Sequence, residues 1–247
     1  MITSASFFVF TFCACVGVQL PDEIKICHRA DPQRDDCLKD SAQATIKLLQ
    51  KGLPGFNTGT IDPITIPSLV IGEGTGVVHV EQNYKNVEIH NLGTMVVEKF
   101  ESHVDDEKVQ FLLDTFCKDY FWEAEYSVHG RILMLPISGN GTCTYHLKNV
   151  KIKFDMQGEV IERNGKQYLE IKENKVLLRP EEVRFEFRNL FNGDEQLGNE
   201  MNKLLNENWK EVFYDVVHAY EEAVGAVFKL YINKIFNKIP YDEIFPL

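Results

Sequence analysis

His218 and Glu222 stand four residues apart, so on a helix they share one face, the spacing an imidazole and a carboxylate need to work as an acid–base pair. The same spacing is that of an ordinary solvated pair, and that reading is preferred here. Asp105, Asp106 and Glu107 could gather around a calcium ion, but no EF-hand spacing follows them, so they read as a solvated acidic turn. Gly72-x-Gly74-x-Gly76 has the glycine density of a phosphate cradle. It opens a strand instead of joining a strand to a helix, which marks it as a flexible turn. There is no G-x-S-x-G nucleophile elbow, no H-E-x-x-H zinc helix and no G-x-x-x-x-G-K-[ST] phosphate loop. The seven histidines are scattered. No catalytic residue, metal site or cofactor is therefore expected.

Six cysteines carry the next chemistry. Ser6 to Val18 is a short apolar run, with the small residues Cys15 and Gly17 near a cleavage point, the pattern of a secretory signal over residues 1–17. Cleavage there removes Cys13 and Cys15 and leaves four cysteines in a mature chain of residues 18–247. Cys27 and Cys37 lie close together and are expected to bridge, whereas Cys117 and Cys143 pair only if their strands return to each other. Four zinc ligands would need paired C-x-x-C or H-x₃₋₅-H spacing, which is missing, so structural disulfides of an extracellular protein are the better reading. Asn140-Gly141-Thr142 is a glycosylation acceptor in a glycine-rich stretch read as a turn.

Composition sets the frame for these residues. The chain has 247 residues, 44% of them hydrophobic, with 16 Gly and only 9 Pro, enough for one large core and against disorder. Its net charge of −11 disfavours nucleic acid and anionic membrane surfaces as partners.

The elements that must position the site are strands followed by a long helix. A short helix is expected over Asp36 to Gln50, with Leu38, Ala42, Ile46 and Leu49 on one face and Gly52-Leu53-Pro54-Gly55 ending it. Trp122, Ala124, Tyr126 and Val128 alternate with polar residues as in a half-buried strand. The stretch Ser138-Gly139-Asn140-Gly141 reads as the turn into the next strand. In that strand the apolar phase slips near Lys148-Asn149, which suggests a β-bulge. Asn164-Gly165 is a hairpin turn, and Val183, Phe185 and Phe187 form the last strand.

From Phe191 to Asn237 apolar residues recur at three- and four-residue spacing, including Leu197, Met201, Leu205, Trp209, Phe213, Val216, Tyr220, Val224, Phe228, Ile232 and Ile235. One helix of that length would be a rod of roughly 60 Å. Asn192 and Glu195 have capping-box spacing at its start, and Pro240 closes it. A stripe that long needs an equally long cover, and only the strands can supply it. The expected class is α+β, an antiparallel sheet curved around one long helix, with an apolar interior suited to a lipid. The apolar run is too interrupted by Glu, Asn and Lys to span a membrane.

The segment from Asn189 to Asn202 (NLFNGDEQLGNEMN), continuing through Leu205-Asn-Glu-Asn-Trp209, resembles the C-terminal motif of the insect takeout and juvenile-hormone-binding family. Cys27 and Cys37, Gly52-Leu-Pro-Gly55, Ile61-Asp-Pro-Ile64, Tyr126-Ser-Val-His-Gly130 and Leu133-Met-Leu-Pro-Ile-Ser-Gly139 fit the same family in the same order. The resemblance implies a secreted monomer of the TULIP-like super-roll fold, with a tunnel for a juvenile-hormone-like terpenoid, a fatty acyl compound or another lipid. Cys117 and Cys143 do not match the second bridge of the hormone-binding branch, which favours the takeout branch.

On that reading the protein sequesters a small apolar ligand. The candidate lining is Trp209, Phe213, Val216, Tyr220 and Val224 from the helix with Tyr126 and Val128 from the strand opposite, and Tyr126, Tyr145 and Tyr220 offer hydroxyls to a polar end. Two other classes stay open. One is an extracellular interaction protein that contacts a receptor or a lipid surface. The other is a lipid-active enzyme, although the strand alternation places Glu123, Glu125 and His129 outside.

Overall fold

The computed structural model describes residues 18–247, and the expected secretory signal lies outside them. Helix α1 (Arg34–Leu49) is followed by seven strands, β1 (Ile64–Ile71), β2 (Val78–His90), β3 (Val96–Val104), β4 (Lys108–Ile132), β5 (Leu135–Arg163), β6 (Lys166–Arg179) and β7 (Glu182–Phe187). Helices α2 (Glu195–Glu207), α3 (Trp209–Phe236) and α4 (Tyr241–Ile244) complete the chain. The strands form one antiparallel sheet in the order β1-β2-β4-β5-β6, with β3 on β4 and β7 on β5. This is the expected α+β architecture.

Two strands make the sheet long. β4 has 25 residues and β5 has 29, and they pair with each other from Lys108↔Glu159 to Ile132↔Leu135. At ~3.3 Å per residue such strands would run roughly 80–95 Å if straight, far more than one domain can cover, so they must curve. Each is long enough for its outer edge to be shared by two partners. β3 and β2 occupy successive parts of β4, and β7 and β6 successive parts of β5.

The phase slip read near Lys148-Asn149 is present but is no one-strand bulge. β5 buries Tyr145 and Leu147, then Val150, Ile152 and Phe154, with Lys148 and Asn149 both exposed between them. β4 makes the same switch opposite, from Thr115 and Cys117 to Tyr120 and Trp122 across the exposed Lys118 and Asp119. Because both strands slip together, the register on either side agrees, Cys117↔Val150 and Asp119↔Lys148. Asn149 takes a left-handed φ of 49° there. Both strands switch their buried phase here without changing their pairing.

Three other expectations need correction. Ser138 to Gly141 is not a turn. The turn falls at Leu133–Met134, and Ser138–Gly141 is paired strand opposite Tyr126–His129. The long helix is also not one rod, because Asn208 leaves helical geometry (φ −112°, ψ 26°) between α2 and α3. Its Nδ2 donates to the Leu204 carbonyl at 2.8 Å, a side chain competing for a backbone acceptor. Finally, the helix is capped by Asp194, whose carboxylate accepts from the Leu197 amide at 3.0 Å. Asn192 sits earlier, in a left-handed conformation within a short 3₁₀ turn.

The Asn164-Gly165 hairpin is as expected, with φ of 52° and 74° between the paired Arg163 and Lys166. Both residues need positive φ in a two-residue hairpin turn, which is why Asn-Gly serves there.

α2 and α3 hold the free edges of the sheet with side-chain amides. Asn202 Oδ1 accepts from the Phe187 amide and its Nδ2 donates to the Phe187 carbonyl, both at 2.8 Å. Asn206 does the same for Phe185, and Asn233 on α3 does it for Ile171 on β6. Asp215 on α3 accepts the amides of Gly76 and Val78 at 2.7 Å each, so the glycine-rich turn folds over a carboxylate of the chain itself. Backbone groups on the edges of β6 and β7 that would otherwise be unpaired are thus satisfied by the helices.

Candidate functional site

Inside the sheet the core is tightly filled over one half of α3 and loose over the other. The loose half holds a cavity of about 180 Å³. It lies between α1, the paired stretches of β3, β4 and β5, the end of α3 and the C-terminal α4, with Leu20, Ile24 and Cys27 of the N-terminal segment on its wall. The face of α1 that the sequence marked as apolar, Leu38, Ala42, Ile46 and Leu49, turns out to be one wall. Phe228, Ile232, Ile235 and Phe236 of α3 form another.

The few polar groups on this wall are already engaged. Ser41 Oγ donates to the Lys25 carbonyl at 2.8 Å, Thr45 Oγ1 to the Ser41 carbonyl at 2.7 Å and Thr115 Oγ1 to the Ile152 carbonyl at 2.9 Å. Lys25 sends its ammonium outward to Asp40 at 2.7 Å. The surface shown to an occupant by the described residues is therefore almost wholly hydrocarbon, with spare lone pairs on the hydroxyl oxygens of Ser41, Thr45 and Thr115.

The outer end of this region is fastened by covalent and charged contacts. The Cys27–Cys37 bridge joins the N-terminal segment to α1. Arg29 reaches Asp106 at 2.6 Å and Asp242 at 2.8 Å, and its guanidinium lies 5.0 Å above the Tyr241 ring. Its amide donates to the Pro246 carbonyl at 2.7 Å, and His28 Nδ1 lies 3.0 Å from the Leu247 carbonyl. The segment around His28 and Arg29, the C-terminal residues Pro246 and Leu247 and the β3–β4 turn thus close over one end of the interior.

The residues proposed from the sequence fall in the other, filled half. Val128, Phe213, Val216 and Tyr220 border a void of about 20 Å³. Phe213, Tyr220 and Val224 border a second of the same size further along α3. Tyr126 and Trp209 border neither void. The Tyr126 hydroxyl donates to the Arg188 carbonyl at 2.8 Å, tying β4 to the chain beyond β7.

The filled half contains a polar cluster. The Tyr84 hydroxyl donates to Gln82 Oε1 at 2.7 Å and shares a hydrogen bond with the Tyr145 hydroxyl at 2.7 Å. The Tyr220 hydroxyl lies 3.3 Å from the same Gln82 oxygen, and Trp122 stacks on Tyr145 at 4.0 Å. Burial pushes the phenols of Tyr84 and Tyr145 well above the ordinary tyrosine value and that of Tyr220 up to about 12. Gln82 Nε2 is buried without a hydrogen-bond partner among the described residues. The 20 Å³ void that Gln82 helps to line has room for a single water.

Cys117 and Cys143 are both free and buried, which corrects the suggestion that they bridge. Cys117 pairs with Val150 and Cys143 with Ala124, seven rungs apart on the β4–β5 ladder and so roughly 23 Å. A disulfide needs Cα atoms within about 7 Å. Burial raises the Cys117 thiol and takes Cys143 to about 12, so neither is a reactive thiolate. His218 and Glu222 are exposed on the outer side of α3, as a solvated pair would be. Asn140 is exposed but stands within β5, opposite Ser127.

The α1 wall was the part of this site most easily missed. Its four apolar residues were visible in the sequence, but their spacing is the same whether they fill a core or border a space. Asn202 and Asn206 were equally hidden, since polar residues on a helix ordinarily face water.

Known proteins are similar to this chain in fold or in sequence. The crystal structure of Takeout 1 from Epiphyas postvittana superposes with a TM-score of 0.79 at 23% identity, over 91% of this chain and 100% of that one, which shows a common fold. The circadian clock-controlled protein daywake of Drosophila yakuba, and that of Drosophila melanogaster, are each 28% identical over 233 residues. Those alignments cover 91% of this chain and 88% of each relative. The family model of haemolymph juvenile hormone binding protein matches residues 6–246, nearly the whole sequence. With a curved sheet closed around a C-terminal helix and a match of that extent, this chain belongs to the haemolymph juvenile hormone binding protein family.

Proposed function

We propose that this protein is a secreted, monomeric carrier that holds one small apolar molecule in the cavity between α1 and the end of α3. The observation that carries this reading is the wall itself. It is hydrocarbon almost throughout, and the hydroxyls of Ser41, Thr45 and Thr115 already donate to backbone carbonyls. Such a surface selects by shape and apolarity. An occupant that buries ~300 Å² of apolar area gains roughly 7 kcal/mol from leaving water, before the cost of association. Among the described residues Lys25 is the single titrating side chain on the wall, and it is directed to Asp40, which favours binding over turnover.

The volume bears on ligand size. A cavity of about 180 Å³ is near the ~150 Å³ that accommodates a benzene-sized molecule and below the ~300 Å³ where drug-sized sites begin. A juvenile-hormone-like terpenoid or a long acyl chain would have to extend into the filled half of the core. The two 20 Å³ voids along α3 are where an interrupted tunnel would continue. In that reading Val128, Phe213, Val216, Tyr220 and Val224 line the deep end, with Tyr126 and Trp209 as its outer supports. The Gln82 amide and the hydroxyls of Tyr145 and Tyr220 would meet a polar terminus. Secretion is supported by the apolar run of residues 6–18 and by the Cys27–Cys37 bridge, and glycosylation at Asn140 by that residue's exposure.

The test is to express the protein in a eukaryotic secretory host, record its native mass and extract what it carries. A one-to-one complex with a discrete apolar molecule supports carriage. Protein that emerges empty and takes up no terpenoid, fatty acid or quinone would overturn it.

A further inference from the structure

We propose that Glu88, His90 and Glu123 form a binding site for a divalent transition-metal cation of the zinc type, on the face of the sheet turned away from α3. Glu88 and His90 are two residues apart on β2 and so point the same way, with the buried Ile89 between them pointing into the core. Glu123 on β4 is the register partner of Glu88. One strand thus supplies a carboxylate and an imidazole, and its neighbour supplies a second carboxylate beside them.

The distances favour an ion between these groups over direct bonds. His90 Nε2 lies 3.7 Å from Glu88 Oε2 and 3.8 Å from Glu123 Oε1, and the three atoms are all within 4.8 Å of one another. A hydrogen bond would bring nitrogen and oxygen to about 2.9 Å. Two ligands that each stand ~2.0–2.1 Å from one zinc ion at the tetrahedral angle are instead about 3.3 Å apart. Drawing each carboxylate oxygen about half an ångström closer to His90 Nε2 brings both pairs to that spacing. His90 Nε2 is itself buried and has no hydrogen-bond partner among the described residues, although two carboxylates face it.

Two further observations fit a cation. Carboxylates directly opposite each other on adjacent strands repel, and a dication between them removes that cost. The His90 ring is also held in place, stacked on Phe121 at 4.5 Å with 6° between planes, and Phe121 stacks in turn on His146. A ligand fixed by its surroundings loses little freedom on binding. One imidazole with two carboxylates suits zinc, and three protein ligands leave a fourth position for water or an outside donor. A cleft of about 380 Å³ lined by Glu88, Glu123, Glu125, Thr144 and Arg188 opens beside it.

The experiment is titration of zinc chloride into tag-free protein, as secreted by a eukaryotic host and stripped with a chelator, followed by calorimetry and by imidazole ¹H–¹⁵N spectra. The expected result is one zinc ion per chain, with the His90 ring signals moving in step with saturation. Glu123→Gln and His90→Asn should each weaken binding about tenfold or more while melting temperature stays near the parent value. Zinc that leaves His90 unmoved while shifting other histidines, or an isotherm with no one-to-one event, would overturn the proposal. Because the spectra of the parent protein decide this alone, misfolding of a variant cannot obscure it.

Discussion

Asn206 on α2 pairs with Phe185 on β7 as a neighbouring strand would, accepting from its amide at 2.8 Å and donating to its carbonyl at 2.9 Å. The side-chain amide copies the peptide group, so the last strand ends against a helix with its edge satisfied. Asn206→Asp keeps the acceptor but sets a charged oxygen against the Phe185 carbonyl. The expected loss is about 2 kcal/mol, the cost of a partly buried carbonyl left without a donor. Urea unfolding of the variant beside Asn206→Ala checks it. Asp should be the worse of the two, because it adds repulsion where Ala merely removes a partner.

Gly225 in α3 touches β6 backbone to backbone. Its carbonyl accepts from Asn174 Nδ2 at 3.1 Å, and an added Cβ would stand 2.5 Å from the Asn174 carbonyl oxygen. On an isolated helix Gly225→Ala would gain ~1 kcal/mol. Here it must push helix and sheet apart, so a net loss of roughly 1–3 kcal/mol is expected, the usual range for overpacking. A lowered melting temperature would agree. A raised one would mean that the contact yields freely.

Much of this fold could be read from the chain and some of it could not. Strict alternation, as in Trp122, Ala124, Tyr126 and Val128, names an inward face whatever the partner strand is. The matched slip in β4 and β5 was visible only on the β5 side, because Lys118-Asp119 is unremarkable until it is seen opposite Lys148-Asn149. In the sequence Gly225 is simply a glycine inside a helical stretch, and its reason lies across the interface at Asn174. The cavity was the hardest part to foresee. Space arises where several side chains together fall short of filling the interior, and Ala42, Ile46 and Ile232 do not announce it singly. For the same reason Trp209 and Tyr220, the most conspicuous residues of the apolar stripe, drew attention to the filled half.

The buried tyrosines give the protein a sharp alkaline limit. Tyr84, Tyr145 and Tyr220 have phenols raised above the ordinary value near 10 by burial, Tyr220 to about 12. Below pH 10 both folded and unfolded chains keep these protons, and their contribution to stability is intact. Above pH 10 the unfolded chain releases them while the folded chain holds them, so stability falls as pH rises toward 12. Phenolate absorbance from this cluster should appear together with loss of the near-ultraviolet circular dichroism. Ionisation of all nine tyrosines well before unfolding would contradict the packing described.

The most direct test of the account is the affinity of the protein for a medium-chain fatty acid or a monoterpenoid, measured by calorimetry on the parent and on Ala42→Phe. Ala42 lies on the cavity wall, and a phenyl ring there takes up much of the roughly 180 Å³ available. Val70→Phe, at an exposed position on β1, serves as the control of equal bulk. The account predicts one site per chain, at least a tenfold loss of affinity in Ala42→Phe, equivalent to ~1.4 kcal/mol, and no change in Val70→Phe. Undiminished binding by a folded Ala42→Phe protein would contradict it, and would place the ligand elsewhere in the molecule.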